Sequence, residues 1–300
     1  MGWTRTLAVL FAGVFLGAAC RPETVERQGV REVPTRIVSM APSLTESLFA
    51  LGVGDRVVGR TRYCSFPPEV AEIPEIGGHL DPNIEAIVAL RPDLVFTIPS
   101  SEEAVARLRS LGIRVLPVDQ HDVAAVLQSV IVLADACEVP ERGVALRARL
   151  EQKLETVRRA VQGRPRPTVV VVVGRELGEG AVRSVWAAGP ETFYGDVVDI
   201  AGGVNVVTGG LVRYPEISRE GLVALDPDVI LDVVAGLDER GLDAEAVRAD
   251  WVNLGELRAV RDGRVYVLAG DAMVVPGPRL PELVDAVANA LHSGLTLEGR

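Results

Sequence analysis

The chain has 300 residues, 48% of them hydrophobic, and a net charge of −10. This composition is typical of a globular protein, and the excess of acidic residues argues against nucleic-acid binding, which requires a basic face. Once an N-terminal leader is set aside, about 265 residues remain, enough for one large core or two modest ones.

The first twenty residues are typical of a secretory signal. Arg5 supplies a positive charge, an apolar run covers 7–16, and small residues precede Cys20. The run is too short to cross a bilayer as a helix. Cys20 resembles the acylated cysteine of a lipoprotein box, although Leu16 lies four positions before it instead of three; plain cleavage with an unmodified Cys20 is the alternative. We predict an exported protein with a signal peptide over 1–19 and a polar, lipid-anchored tether over 20–34.

The next segment alternates strands with helices. The predicted strands cover 36–40, 56–60, 93–97 and 113–118. Between them, Ser43 with Glu46 and Ser100 with Glu103 match the capping-box pattern, and Asp81 before Pro82 predicts a third helix start. Strands separated by helices of this length indicate parallel βα units. We therefore predict an N-terminal α/β lobe over 35–138.

One long helix follows. Its predicted buried face has apolar side chains at spacings of three and four residues: Leu146, Leu150, Leu154, Val157 and Val161. Pro140 stands at the start, and Gly163 with Pro165 ends the pattern. This predicts a rod-like backbone helix over 139–164 that allows little hinge bending.

A second βα series follows the long helix. Residues 168–173 form an apolar run typical of a buried strand, and further strands are predicted over 228–234 and 264–268. Helices are predicted near 191–201, 244–257 and 279–293. The expected fold class is therefore α/β, with two lobes that contain parallel sheets, the second over 165–300, joined by one long rigid helix.

An internal repeat links the two lobes. Residues 85–95 (EAIVALRPDLV) match 220–230 (EGLVALDPDVI), with six of eleven positions identical. Helix packing and a turn account for the apolar and Pro-Asp positions. Glu85 and Glu220 fall in the first turns of their helices, where a carboxylate is favoured by the helix dipole. Helix capping is one interpretation; the other is that two equivalent acidic groups contact a two-fold-symmetric partner.

Four ordered blocks cover most of the chain after the leader: 36–70, 77–96, 214–231 and 276–288. With these blocks, the chain resembles the periplasmic-binding-protein family with a long helical backbone, whose members carry vitamin B12, iron–siderophore complexes and haem to ABC importers. The resemblance implies the class III architecture of that family and a permease dimer as partner. It also implies that Glu85 and Glu220 dock onto arginines of the permease.

The expected ligand site lies between the lobes, where the loops that follow the strands converge. Tyr63, Phe66 and His79 lie on such loops in the first lobe, and Trp186, Tyr214 and Asp271 in the second. Aromatic faces suit a large planar ligand. The resemblance is greatest to cobalamin-binding members, although His79 and Ile98 replace aromatic residues and Val275 replaces a basic one. Haem or a ferric siderophore is the alternative ligand, and each residue also has a purely structural interpretation.

Cysteine usage leaves one question open. With Cys20 assigned to the anchor, Cys64 and Cys137 form an even pair in an oxidising compartment. A disulfide between them and two buried free thiols are both consistent with the sequence.

Other classes of protein lack their motifs. A bare zinc or manganese receptor needs three or four converging ligands, but the chain has only three histidines, His79, His121 and His292. The G-x-S-x-G, P-loop, HExxH and CxxC motifs of enzymes are absent from the sequence. We therefore predict no catalytic residues, no metal site and no cofactor. We also expect a monomer that contacts the membrane only through its lipid.

Overall fold

A computed structural model of the chain describes residues 33–99, 102–208, 210, 212–237 and 241–295. The predicted signal peptide, Cys20, nearly all of the tether and the capping residue Ser100 lie outside these ranges. Within them, no helix is long and apolar enough to cross a membrane.

The N-terminal lobe is built on a parallel sheet. In chain order its elements are β1 (Ile37–Ser39), α1 (Pro42–Ala50), β2 (Val57–Arg60), α2 (Ile84–Ala89), β3 (Leu94–Thr97), α3 (Glu102–Ser110), β4 (Val115–Pro117) and α4 (Val123–Ala136). The strand order is β2-β1-β3-β4, and Ile37 pairs in parallel with both Val57 and Leu94. Parallel pairing brings the C-terminal ends of these strands to one edge of the sheet.

Two helix starts differ from the prediction. Helix α1 begins at Pro42 after an N-cap, Ala41, that has no side-chain hydrogen bond, because Ser43 donates instead to Gln120. Helix α2 is capped by Asn83, whose Oδ1 accepts from Ala86 N at 3.0 Å, and not by Asp81. The polar side chains of the expected caps are thus used in tertiary contacts.

The long helix α5 (Pro140–Val161) has the predicted buried face, with Leu146, Leu150, Leu154, Val157 and Val161 all buried. Helix α4, which the sequence analysis does not predict, packs along α5. The two helices approach closely at Gly143, where an added Cβ would lie only 2.5 Å from the Cβ of Ala134.

The C-terminal lobe contains a mixed sheet. In chain order its elements are β5 (Thr168–Gly174), β6 (Ser184–Ala187), α6 (Phe193–Ile200), β7 (Val204–Asn205), β8 (Glu216–Ser218), α7 (Arg219–Leu225), β9 (Val229–Val234), α8 (Ala244–Ala249), α9 (Arg258–Arg261), β10 (Val265–Ala269) and α10 (Leu280–Leu291). The order β10-β9-β5-β6-β8 is parallel from β10 to β5 and antiparallel beyond it, and β7 pairs in parallel with β5. The expected parallel sheet is confirmed for β10, β9 and β5, whereas the unpredicted β6 and β8 make the other edge antiparallel.

One cluster of buried apolar side chains runs through both lobes and the long helix. It includes Phe96 on β3, Leu150 on α5 and Leu231 on β9, and none of these side chains is more than 2% exposed. The α/β fold of two lobes joined by a long helix is therefore confirmed, and the lobes share a continuous hydrophobic core.

Candidate functional site

A cavity of about 870 Å³ lies between the two lobes. Its N-terminal wall comes from loops that follow the parallel strands, and its C-terminal wall from loops near β8 and β10. The lining residues are Ala41, Pro42, Ser43, Tyr63, His79, Leu80, Asp81, Ile98, Pro99, Asp119, Gln120 and His121 from the N-terminal lobe, and Arg213, Tyr214, Val274, Val275 and Pro276 from the C-terminal lobe. Its size and its place between lobes are typical of a small-molecule site.

Tyr63 and His79 are the predicted ligand residues on the N-terminal wall. Tyr63 is 60% exposed and lies beneath the guanidinium of Arg62, which is 5.5 Å from the ring centroid and is hydrogen-bonded to Asp81. Burial lowers the pKa of His79, and the nearby Asp81 only partly offsets this effect. The lowered pKa favours the neutral imidazole of His79 at neutral pH.

His121 and its two carboxylate partners form a polar corner that the sequence analysis missed. His121 Nδ1 lies 2.7 Å from Asp119 Oδ2, and its Nε2 lies 3.0 Å from Asp122 Oδ2. These residues follow β4, and their position just after a parallel strand is the feature of the sequence that could have placed them at the site. Among the described residues no group of three or more His, Cys, Asp or Glu side chains is placed to hold a metal ion.

The C-terminal wall combines one aromatic and one cationic residue with an apolar segment. Tyr214 is 41% exposed, and burial raises its pKa although Arg213 acts in the opposite direction. The apolar segment consists of Val274, Val275 and Pro276, and we call it the apolar wall. The cavity therefore places a tyrosine on each lobe, with most of its polar groups on the N-terminal side.

Trp186, another predicted ligand residue, does not line this cavity. Its neighbours on β6, Val185 and Ala187, are fully buried, so alternation along the strand directs the indole to the opposite face, where it is 47% exposed. It pairs across the sheet with Glu216 on β8.

Phe66 and Asp271 also lie outside the cavity lining, because both join the lobes to each other. Phe66 lies under the guanidinium of Arg279, 4.3 Å from the ring centroid, and Asp271 accepts a hydrogen bond from Ser65. Arg279, at the start of α10, donates from Nε to Oε2 of Glu46 on α1 at 2.9 Å and from Nη2 to Oε1. We call this set (Glu46, Ser65, Phe66, Asp271 and Arg279) the interlobe joint.

The two remaining cysteines are buried free thiols in separate places. Cys64 Sγ lies 3.2 Å from the hydroxyl oxygens of both Thr45 and Thr61. Cys137 follows α4, and burial raises the pKa of its thiol to about 11. The structure therefore has free thiols and not the disulfide that the sequence also allowed.

The internal repeat folds into equivalent units. Glu85 and Glu220 each occupy the second position of their helices, α2 and α7, and both are exposed. One turn later, Val88 and Val223 are similarly exposed, at 39% and 37%. Each lobe thus presents a carboxylate beside an apolar side chain at the same position on its surface, and these four residues do not line the cavity. We call them the paired surface.

The Pro-Asp part of the repeat has a structural role in both lobes. Asp93 accepts from the backbone N and Oγ1 of Thr35 at 2.8 and 3.1 Å, just before β1. Asp228 accepts from the same two atoms of Thr168, at 2.8 Å each, at the start of β5. Each aspartate thereby holds the first strand of its sheet beside the strand that follows the repeat, which explains these positions without a partner.

Comparisons with known proteins agree with this geometry. The sequence model of the family described as "Periplasmic binding protein" matches residues 37–272. A cobalamin-binding protein of Halobacterium salinarum is 30% identical over 87% of this chain and 70% of its own length. An uncharacterised ABC transporter substrate-binding lipoprotein of Bacillus subtilis is 27% identical over 88% of this chain and 82% of its own length.

A solved structure has the same fold. A periplasmic haem-binding protein from Pseudomonas aeruginosa superposes with a TM-score of 0.74 at 28% identity, over 89% of this chain and 95% of that protein. The family match covers both sheets, the long helix and nearly all of the cavity lining, so fold, site and sequence point to the same assignment. The chain belongs to the periplasmic-binding-protein family.

Proposed function

We propose that this protein is the solute-binding component of an ABC importer and that it binds cobalamin or a related corrinoid between its lobes. The observation that carries the proposal is the cavity of about 870 Å³ with a tyrosine exposed on each lobe. Two aromatic faces and an apolar wall suit a large, partly apolar ring system. Binding and delivery require no bond to be made or broken, so the proposed role is not enzymatic and needs no resident cofactor.

Haem or a ferric chelate is the second candidate ligand. His79, Tyr63 and Tyr214 line the cavity. Histidine and tyrosine are both side-chain types that ligate haem iron. The haem-binding relative from P. aeruginosa supports the same candidate. Corrinoid ranks first because a cobalamin-binding relative is 30% identical.

Titration of the purified protein with aquocobalamin, haem and a ferric hydroxamate, followed by calorimetry and visible absorbance, tests the proposal. We expect cobalamin to bind with one-to-one stoichiometry, and Tyr214→Ala to weaken binding by about 10- to 100-fold, as loss of a packed aromatic anchor does. Trp186→Ala is the matched control, because this exposed ring lies outside the cavity, and it should leave affinity unchanged. Binding of haem alone selects the second candidate, and binding of none of the three rejects the proposal.

We further propose that the chain is exported and anchored through acylated Cys20, with residues 1–19 removed. The mature chain then consists of a tether, two lobes (35–138 and 165–300) and the backbone helix between them (139–164), as the sequence predicts. The lipoprotein name of the B. subtilis relative supports this. Labelling with a radioactive fatty acid should mark the wild-type protein but not Cys20→Ser, which should be released in soluble form.

The paired surface is the proposed contact with the permease dimer. Its support is the equivalence of the two lobes: each presents an exposed carboxylate at the second helix position and an exposed valine one turn later. A partner with two-fold symmetry and two arginines fits such an arrangement, because charge-assisted pairing forms at both ends simultaneously. Glu85 and Glu220 supply the charge, and Val88 and Val223 the adjoining apolar contact, for a protein that acts as a monomer.

A further inference from the structure

The interlobe joint connects two chain segments that also line the ligand cavity. On the N-terminal side, Ser43 lines the cavity, and Glu46 follows one turn later on α1. On the C-terminal side, Pro276 ends the apolar wall, and Arg279 follows three residues later. Each partner of the Glu46–Arg279 ion pair therefore lies three residues beyond a residue that lines the cavity.

The two walls pack against each other near Gly277, where even an added Cβ would be at ordinary van der Waals distance from Ser43. A Cβ added to Gly277 would lie 3.5 Å from both the Cα and the carbonyl oxygen of Ser43. The backbone just after the apolar wall thus packs against the first turn of α1, and the ion pair links the same two segments. Asp271 and Ser65 make a second link at the start of the same segment.

The ion pair is almost withdrawn from solvent. The side chain of Glu46 is 3% exposed and that of Arg279 16%, with Phe66 covering the guanidinium. Burial raises the pKa of Glu46 even though the hydrogen bond and charge of Arg279 act to lower it. The hydrogen bond to Glu46 in turn raises the pKa of Arg279. Buried ion pairs are often no more stabilising than apolar residues of similar volume, but they hold two elements in one relative position.

We propose that Glu46 and Arg279 are positioning residues for the ligand: their ion pair holds the apolar wall against α1, sets the width of the cavity and slows ligand escape. This inference rests on the proposed function, since it concerns the same cavity. A charged, bidentate pair fixes the relative position of two elements more narrowly than apolar packing does, because both hydrogen bonds depend on direction. Loosening the wall should act mainly on the dissociation rate, which is where most affinity differences within one site arise.

The test uses the double variant Glu46→Met with Arg279→Met. Replacing both charges avoids an unpaired buried ion, and methionine fills a similar volume, so the variant should remain folded. Its matched control is Glu155→Met with Arg159→Met, which removes an exposed ion pair of the long helix. We expect cobalamin to dissociate about 10-fold faster from the joint variant, with association and thermal unfolding close to wild type, and the control to resemble wild type in all three.

Amide hydrogen exchange over residues 273–277 measures, without ligand, how firmly the ion pair holds the segment that contains the apolar wall. Val274 and Val275 both donate their amides to Asp271 O, and Gly277 donates to Val275 O. Exchange there should be several-fold faster in the joint variant than in wild type or control. Unchanged exchange and an unchanged dissociation rate in the folded joint variant would overturn the inference. If the wild-type protein binds none of the ligands, the proposed function is wrong. In that case, unchanged exchange in the joint variant would also reject the positioning role of Glu46 and Arg279.

Discussion

The two Pro-Asp turns show how single side chains organise a lobe. Arg91 and Asp226, at equivalent repeat positions before a proline, adopt left-handed backbone with φ of 48° and 37°. Such a conformation is unfavourable for a residue with a Cβ. In each lobe an arginine donates to the carbonyl oxygen of that residue, Arg36 to Arg91 O and Arg258 to Asp226 O. The strained residue is therefore held by long-range hydrogen bonds that no local pattern reveals.

Removing one of the aspartates behind these turns should destabilise the protein in a pH-dependent way. Burial alone raises the pKa of Asp228, but hydrogen bonds from Thr168 and the charges of Arg258 and Arg264 outweigh it, so the folded pKa is lowered. Its contribution is thus present above the unfolded pKa of about 4 and is lost as the pH falls through the folded value.

We expect Asp228→Ala to lower the free energy of unfolding by about 1–3 kcal/mol at pH 7. The difference from wild type should shrink as the pH falls below about 4, because the unfolded carboxylate is protonated first and the folded one only at its lowered pKa. Urea unfolding at pH 7 and pH 3 measures both values, with the exposed Glu179→Ala as control. A deficit that stays constant with pH would show that ionisation of Asp228 is not the cause.

Tyr63 and Phe66 could be predicted from the sequence only as far as the loop that contains them, and Trp186, predicted on a loop, lies on β6. Tyr63 and Phe66 lie three positions apart on one loop, yet Tyr63 lines the cavity and Phe66 covers Arg279. Arg279 is 213 positions further along the chain, so the choice between ligand and interlobe contact depends on tertiary packing. Cys64 between them faces Thr45 on α1 for the same reason.

At the scale of elements, periodicity was informative where one face of an element is buried. The long helix α5 has solvent on its other face, so its apolar residues recur at helical spacing and its bounds were predicted to within a few residues. Helix α4 is apolar nearly all round because it packs on several elements, which removes the contrast on which a periodic pattern depends. Strands β6 and β8 have four and three residues, too few to show alternation.

The shared core makes a specific prediction about α5. Leu150 is 2% exposed within the cluster that spans both lobes, so Leu150→Ala should cost about 2–5 kcal/mol and destabilise the two lobes together. Calorimetry should show one unfolding transition displaced to lower temperature. Val144→Ala on the same helix is the control, since Val144 is 62% exposed. Two separate transitions, with only one displaced, would contradict a continuous core.

At the scale of the whole molecule, contacts on both sides of the cavity join the lobes. Besides the interlobe joint, Phe193 N donates to His121 O, and Val123 N donates to Asp196 Oδ2, each at 2.9 Å. Together with the shared core, these bonds constrain the separation of the lobes at several points. Small adjustments of the cavity walls, and not a wide swing of one lobe, are the motions this arrangement favours.

The paired surface predicts how the whole protein meets its transporter. Reversing both charges, Glu85→Arg with Glu220→Arg, should abolish complex formation with the permease and leave ligand affinity unchanged, because neither residue lines the cavity. Pull-down with the permease at low and high salt, beside ligand calorimetry, measures both. Wild-type association should weaken as salt rises, since exposed charges are screened.

A matched pair of helix-start carboxylates separates docking from helix capping. Glu102 and Glu245 also lie exposed in the first turns of helices, one in each lobe. If Glu85 and Glu220 act only on the helix dipole, Glu102→Arg with Glu245→Arg should have the same effect, a loss of about 1 kcal/mol or less per site. Uptake that survives the Glu85 and Glu220 reversal would reject the docking proposal.

The internal repeat has a further consequence for how the protein associates with a permease dimer. On the docking proposal, two equivalent contacts, one on each lobe, meet two equivalent contacts of a two-fold-symmetric membrane partner. Either of two orientations then satisfies the same pair of contacts, which doubles the number of productive collisions. The gain is statistical, about 0.4 kcal/mol from RT ln 2.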